Sequence, residues 1–263
     1  MIAYCARDLA SGRELAANAD VVLPSWSTIK LLLAAAFWRA VEAGELRDAE
    51  PYAFQPWQAV GGSGVLHGFR HAAKITLADL MHLSLAVSDN DATNVVLSFV
   101  GLDKVNALAE ELGLPATRMR RRMMDVEARA TGRENTTSPR DMVDLLTELA
   151  RGPRLSAAAR EPILASLEKT EHLGGVARYL PAGAVYAGKL GDDMPDGRYV
   201  HDCCLVRRGT ATLALAVMTD GGEGYEAVSR LGAALVAQLT EGPASTEGPA
   251  GEVSPATPTS PLA

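Results

Sequence analysis

Pro24-Ser25-Trp26-Ser27-Thr28-Ile29-Lys30 runs directly into Leu31-Leu32-Leu33-Ala34-Ala35-Ala36-Phe37-Trp38. Ile29, Leu32, Leu33 and Phe37 recur at three- and four-residue steps in a segment rich in Ala and Leu. It therefore reads as a helix opening at Ser27 and ending near Ala43-Gly44, where glycine suits the C-terminal cap. Ser27 and Lys30 stack on one face of that helix. A first helical turn has unpaired backbone N–H groups and the positive end of the dipole, which stabilise an alkoxide or oxyanion. Desolvation among apolar neighbours lowers an amine's pKa, so Lys30 can be neutral and take the Ser27 proton. The S-x-x-K spacing alone is common, and a solvated Ser/Lys pair competes with this reading until other polar signatures join it.

Working outward, Ile2 to Leu9 has strand character, turns at Ser11-Gly12 and returns over Arg13 to Ala16, and Val21-Val22-Leu23 is stopped by Pro24. Residues 48–69 read as loop. Within them Gly61-Gly62-Ser63-Gly64 is not followed by Lys-Ser/Thr, so it is expected to be a flexible turn and not a phosphate loop. Thr76-Leu77-Ala78-Asp79 is a capping box for a helix toward Val87 that ends at Ser88-Asp89-Asn90. Helices are expected over Ala92–Val100 and Val105–Leu112, then an irregular stretch over residues 118–137. Ser138-Pro139 and Ser156 each start another helix. Beyond Leu180 the pattern changes to strands at Val185–Lys189, Cys203–Arg207 and Thr212–Thr219, then a helix over Glu226–Leu239.

Strands at both chain ends with helices between them predict an α+β fold. An antiparallel sheet from residues 1–44 and 180–241 with flanking helices carries an inserted all-helical region, residues 45–179, with a cleft where they meet. Residues 242–263 are dominated by Pro, Ser, Thr, Gly and Glu and are expected to be disordered.

The 263 residues are 48% hydrophobic, enough to bury a core, and the formal net charge of -7 argues against a nucleic-acid partner. The one basic cluster, Arg118 to Arg122, is short. Cys5, Cys203 and Cys204 are an odd count, and the adjacent pair would face opposite sides of a strand, so no disulfide framework is expected. The chain opens on Met1-Ile2-Ala3-Tyr4-Cys5 without a signal-like segment, and the apolar run after Lys30 is broken by Arg39 and Glu42. A cytoplasmic protein with no membrane partner is the expectation, or an exported one if the start is incomplete. Five histidines include no H-E-x-x-H, and His67/His71 lack a third ligand nearby, so no metal and no cofactor is expected. A Ser-His-Asp triad through His201-Asp202 is disfavoured because no G-x-S-x-G surrounds Ser27.

Three polar signatures fall in order: Ser27-Thr28-Ile29-Lys30, Ser88-Asp89-Asn90 and Lys189-Leu190-Gly191. S-x-x-K, S-D-N and K-T-G together mark class A β-lactamases and penicillin-binding proteins. The chain resembles the class A serine β-lactamase-like hydrolases from its first strand to the helix near Leu239, and Thr136-Thr137-Ser138-Pro139 and Asp220-Gly221 add to the likeness. The resemblance implies acylation of Ser27, proton transfer through Lys30, and a proton from Ser88 to the leaving nitrogen. It implies that Asn90 holds Lys30 and the substrate amide, that Lys189 keeps the cleft positive, and that the Ser27 and Asp192 N–H groups form the oxyanion hole beside Gly191. The partner is then a small molecule, a β-lactam or related acyl compound.

Two departures follow. The family's E-x-x-L-N pattern, whose glutamate activates water, is missing from Met123-Met124-Asp125-Val126-Glu127-Ala128-Arg129, leaving Glu127 or Asp125 as candidate bases. Leu190 stands where a hydroxyl would bind a substrate carboxylate, leaving Arg198 or His201 to take that contact, or a substrate without one. The family's helix preceding the first strand is also lacking, so the face of Val228, Leu231 and Leu235 is expected to be partly bare, which favours a homodimer or an upstream start. Three functions are thus open: a hydrolase, a β-lactam sensor that acylates without turnover, and an inactive scaffold, which the intact Ser27, Lys30, Ser88, Asn90 and Lys189 disfavour.

Overall fold

The two ends of the chain are tied into one sheet by complementary strands. In a computed structural model that describes residues 1–193, 196–221 and 224–240, strands β1 (Ile2–Asp8) and β2 (Glu14–Ala17) form the expected hairpin. Residues 242–263 lie outside the described residues. A short strand β3 (Leu23–Pro24) and a 3-10 turn over Trp26–Ile29 lead into helix α1 (Lys30–Glu42). Strands β4 (Pro51–Phe54) and β5 (Ala73–Thr76) pair with each other, followed by helices α2 (Leu77–Ala86), α3 (Asn90–Val100) and α4 (Leu102–Leu112). Then come a short helix α5 (Val126–Ala130), strand β6 (Thr136–Thr137), and helices α6 (Pro139–Arg151) and α7 (Ala157–Glu168). Strands β7 (Val185–Asp192), β8 (Val200–Arg208) and β9 (Ala211–Thr219) and helix α8 (Gly224–Thr240) complete the described elements.

The main sheet runs β2-β1-β9-β8-β7, antiparallel throughout, so β1 pairs with β9 in the register Ile2 to Thr219, and the Met1 amino group donates to the Asp220 carbonyl 219 positions away. The sheet separates two apolar clusters. Cys203 faces the cluster shared with the helices and Cys204 the one under α8, as alternation along a strand requires, and all three thiols are buried and free. Helix α1 is apolar nearly all round and accordingly central, packing against α2, α3, α4 and α7. Thr76, Ser138 and Ser156 cap their helices as expected, each accepting a backbone N–H three residues on.

The structure departs from the sequence expectation in four places. The β4–β5 pair occupies part of the stretch read as loop, and β6, with α5, lies in the irregular stretch, where β6 pairs with β3. Helix α1 begins at Lys30, because Trp26 turns to φ 47° and places Ser27 in the 3-10 turn ahead of it. The face of α8 is not bare: Val228 and Leu235 are buried and Leu231 is half-buried against the sheet, which removes that ground for a dimer. The 3-10 turn that begins at Val176 also packs closely on α8, since a Cβ on Gly232 would lie 2.6 Å from a Val176 methyl. No helix among the described residues is long and apolar enough to cross a membrane.

Candidate active site

The 3-10 turn that carries Ser27 is held from three directions. The Ser25 N–H donates to the Asn135 carbonyl at 2.8 Å, the Thr28 hydroxyl donates to the Ser25 carbonyl at 2.6 Å, and β7 packs against the turn. That last contact needs glycine: a Cβ at Gly191 would lie 2.8 Å from the Ser27 nitrogen and 3.0 Å from that of Thr28. Trp26, a bulky residue in the left-handed region, carries backbone strain of about 1–3 kcal/mol next to Ser27. Ser27 and Asp192, from the end of β7, line one cavity of about 580 Å³.

Beneath that cavity lies a buried polar floor. Lys30 is wholly buried at the start of α1, and its Nζ lies 2.7 Å from the Ser88 carbonyl, 3.1 Å from Ser88 Oγ and 2.9 Å from Asn90 Oδ1. Burial, then the charge of Lys189, drives the Lys30 amine well below its ordinary pKa. A neutral amine donates two hydrogen bonds and accepts one, so this geometry permits the Ser88 hydroxyl to donate to Lys30. Lys189 on β7 is also fully buried, with its Nζ donating to the Leu190 carbonyl at 2.7 Å. Burial pushes Lys189 down to about 8, opposed by Asp192 and then Asp202.

Asp89 holds the Ser88–Asn90 loop in place. Its Oδ1 accepts the Ala92 N–H and caps α3, while Oδ2 accepts the N–H groups of Val65 and Leu66 at 2.7 and 2.9 Å. The glycine stretch read as a flexible turn is bonded to the same loop, since Asn90 Nδ2 donates to the Gly61 carbonyl and the Asn90 N–H to that of Ser63. The glycines are needed there: a Cβ on Gly62 would sit 2.7 Å from Asn90 Nδ2, and one on Gly64 2.4 Å from Asp89.

The opposite wall is the stretch from Arg118 to Thr137. Asparagines pin its backbone: Asn94 bonds both the N–H and the carbonyl of Met123 at 2.8 and 3.0 Å, and Asn135 Oδ1 accepts the N–H groups of Arg120 and Arg121. Glu134 pairs with Arg121 at 2.6 Å and Arg129 at 3.2 Å, and the Arg129 guanidinium lies 4.6 Å from the Trp26 ring centroid. What this wall offers the cavity beside Ser27 is Met123, Met124, Asp125 and Val126, flanked by Arg121 and Arg129.

The structure thus brings Ser27, Asn90, Asp192 and Asp125 to one cavity, with Lys30 and Ser88 bonded to each other behind Asn90 and Lys189 near enough for its charge to act on Lys30. The remaining sequence candidates fare differently. Glu127 is exposed on α5 and does not line the cavity, and Asp125 Oδ1 is engaged in capping that helix at Ala128. Arg198 pairs with Asp220 at 2.6 Å and stacks on Tyr199. His201 is wholly buried, its Nε2 meeting the Pro24 carbonyl and its Nδ1 accepting the Thr219 N–H, so both nitrogens serve the backbone and neither can reach a substrate carboxylate. Leu190 is buried opposite Asp202. Sequence reasoning missed Trp26, Asn94, Asn135 and Arg129, whose parts depend on contacts between distant segments.

Taken as chemistry, the arrangement can accept a proton from a hydroxyl, pass one through Ser88, and hold a negative oxygen against backbone N–H groups. A family model described as the beta-lactamase enzyme family matches residues 2–239. Among solved structures, a beta-lactamase from Sphaerobacter thermophilus DSM 20745 is similar, with 28% identity, a TM-score of 0.84 and 92% of each chain covered. PBP-A is similar at 27% identity and a TM-score of 0.82, with 92% of this chain and 90% of that one covered. The same figures hold for a leucine-to-glutamate mutant of PBP-A described as an acyl-enzyme complex with penicillin G.

Proposed function

The chain belongs to the beta-lactamase enzyme family, and from that membership and the buried floor of the cleft we propose a serine hydrolase acting on a β-lactam or related cyclic amide or ester through an acyl-Ser27 intermediate. The observation that carries it is the Lys30 amine, buried, driven toward neutrality, and bonded to Ser88 and Asn90 at 2.7–3.1 Å.

Ser27 Oγ attacks the carbonyl carbon as Lys30 takes its proton. The oxyanion forms between the Ser27 and Asp192 N–H groups, a contribution on the order of 10²–10³ in rate per donor. When the carbon–nitrogen bond breaks, the Ser88 hydroxyl gives its proton to the leaving nitrogen and is reprotonated from Lys30. Asn90 orients both Lys30 and the substrate amide. Lys189, charged below about pH 8, supplies the field that favours this transfer. Residues 1–44 and 180–241 form one side of the cleft in this reading, and 45–179 the other.

A second reading, acylation with slow release, is favoured by three observations: Met123 lines the cavity at the position that Asn94 pins, Glu127 does not line it, and Asp125 Oδ1 caps a helix. Water attack on the acyl-enzyme then lacks an oriented base. Intact mass after incubation with a penicillin, run beside a chromogenic cephalosporin assay, separates the two. Cephalosporin turnover supports the hydrolase, a persistent adduct with little turnover the sensor, and the absence of both sinks acylation at Ser27.

A further inference from the structure

The charge around the mouth of the cleft is lopsided, and this bears on the substrate that Ser27 accepts; the inference rests on the acyl-Ser27 reading above. With the carbonyl oxygen between the Ser27 and Asp192 N–H groups and the leaving atom at Ser88, the acyl substituent extends away from Ser88. It enters the mouth between the β7–β8 turn and the loop wall. Asp125, Asp192, Asp193 and Asp196 line that cavity. Its two cations, Arg121 and Arg129, share Glu134 between them, and Arg121 is only 7% exposed. Asp192 accepts the Tyr225 hydroxyl and lies in the field of the buried Lys189, whereas Asp193 accepts the Tyr199 N–H at 2.9 Å, a neutral donor that leaves its carboxylate charge in place. Arg198, the nearest cation on the turn, is paired with Asp220.

A second observation points the same way. The cleft already holds a cation against its aromatic side: the Arg129 guanidinium lies over Trp26, the residue before Ser27. Attraction between unlike charges in a cleft with low-dielectric walls is stronger than at an open surface.

We infer that the acyl-side mouth selects substrates whose acyl substituent carries a cationic group, an ammonium or guanidinium near the scissile carbonyl, and disfavours those carrying a carboxylate there. Arg129 marks where such a cation sits and competes for the Trp26 face.

Three penicillins sharing one nucleus test this: benzylpenicillin with a neutral acyl side chain, ampicillin with an α-amino group, and carbenicillin with an α-carboxylate. The measurement is the second-order rate of Ser27 labelling by intact mass at low salt and in 0.5 M NaCl. The expected order is ampicillin, benzylpenicillin, carbenicillin, with about tenfold or more between the ends at low salt, narrowing as screening shortens the reach of the aspartates. Asp196→Lys changes an exposed side chain and should lower the ampicillin-to-carbenicillin ratio about threefold or more, whereas Arg129→Ala should raise it. Equal rates, a faster carbenicillin, or a ratio that both variants leave unchanged overturns the charge preference. If none of the three compounds labels Ser27, the acyl-transfer reading itself falls, a result distinct from labelling without charge preference.

Discussion

The floor of the cleft and its loop wall are both dense with hydrogen bonds, but they direct them differently. On the floor, Lys30, Ser88 and Asn90 bond to one another and stand next to the cavity that Ser27 lines. At the wall, Asn94 of α3 and the wall's own Asn135 and Glu134 bond mainly to the wall's backbone and arginines, and the surface turned to the cavity carries two methionines beside Arg121 and Arg129. The difference maps onto the two halves of the proposed hydrolytic cycle. In the proposed reaction the groups that would form the ester lie beside a connected Lys30–Ser88–Asn90 set, whereas the one wall carboxylate lining the cavity, Asp125, caps a helix through Oδ1.

The sharpest break would come at Ser27. Ser27→Ala should abolish covalent labelling by penicillins, and an adduct of unchanged mass in the variant would remove the floor from the account. Next, Lys30→Ala should slow labelling by roughly 10²–10⁴, the range for loss of a positioned general base. A loss under about fivefold would mean that the buried amine is only structural. On the wall, Met123→Glu places a carboxylate at the position pinned by Asn94, and turnover of a chromogenic cephalosporin should rise about 10²-fold. No change would mean that the wall is not what limits release.

The pH profile tests the floor more gently. Lys189 is protonated below about 8, so its charge is present at neutral pH and lost above that value. The labelling rate should fall above pH 8 with a slope near one proton, and Lys189→Met should lack that limb. The smallest effect is on stability. Asn135→Ala strands the N–H groups of Arg120 and Arg121, costing roughly 3 kcal/mol. For a chain of this length that is a fall in Tm of roughly 10 °C. An unchanged Tm would show that the wall does not need its asparagine pins.

Much of the floor was legible because its parts sit in local structure with local signals. Ser-x-x-Lys precedes an apolar helical run, Ser88-Asp89-Asn90 falls between two helical patterns, and Lys189 lies in a β-rich segment. The wall was not legible. Asn94 and Asn135 look like ordinary polar residues until distant backbone meets them, and α5 is too short for a periodic signal. The β4–β5 pair escaped for a related reason: two four-residue strands, one opening on a proline, with a long loop between them. His201 and Arg198 suited a carboxylate by residue type, yet their partners, the Pro24 carbonyl and Asp220, are fixed by how the sheet closes. Gly61-Gly62-Ser63-Gly64 read as a flexible turn, whereas Gly62 and Gly64 let the backbone lie against Asn90 and Asp89.

The pairing of β1 with β9 reaches beyond the finished molecule. A nascent chain of 180 residues would already contain Ser27, Lys30, Ser88 and Asn90, yet β7 would not have been made to set against the 3-10 turn, nor β9 to hold β1. Closing contacts more than 200 positions apart carries a large loop entropy and makes folding slow. Reactivity at Ser27 should therefore arrive late and all at once, so that the first moment a newly synthesised chain can be labelled reports that its last strand has docked.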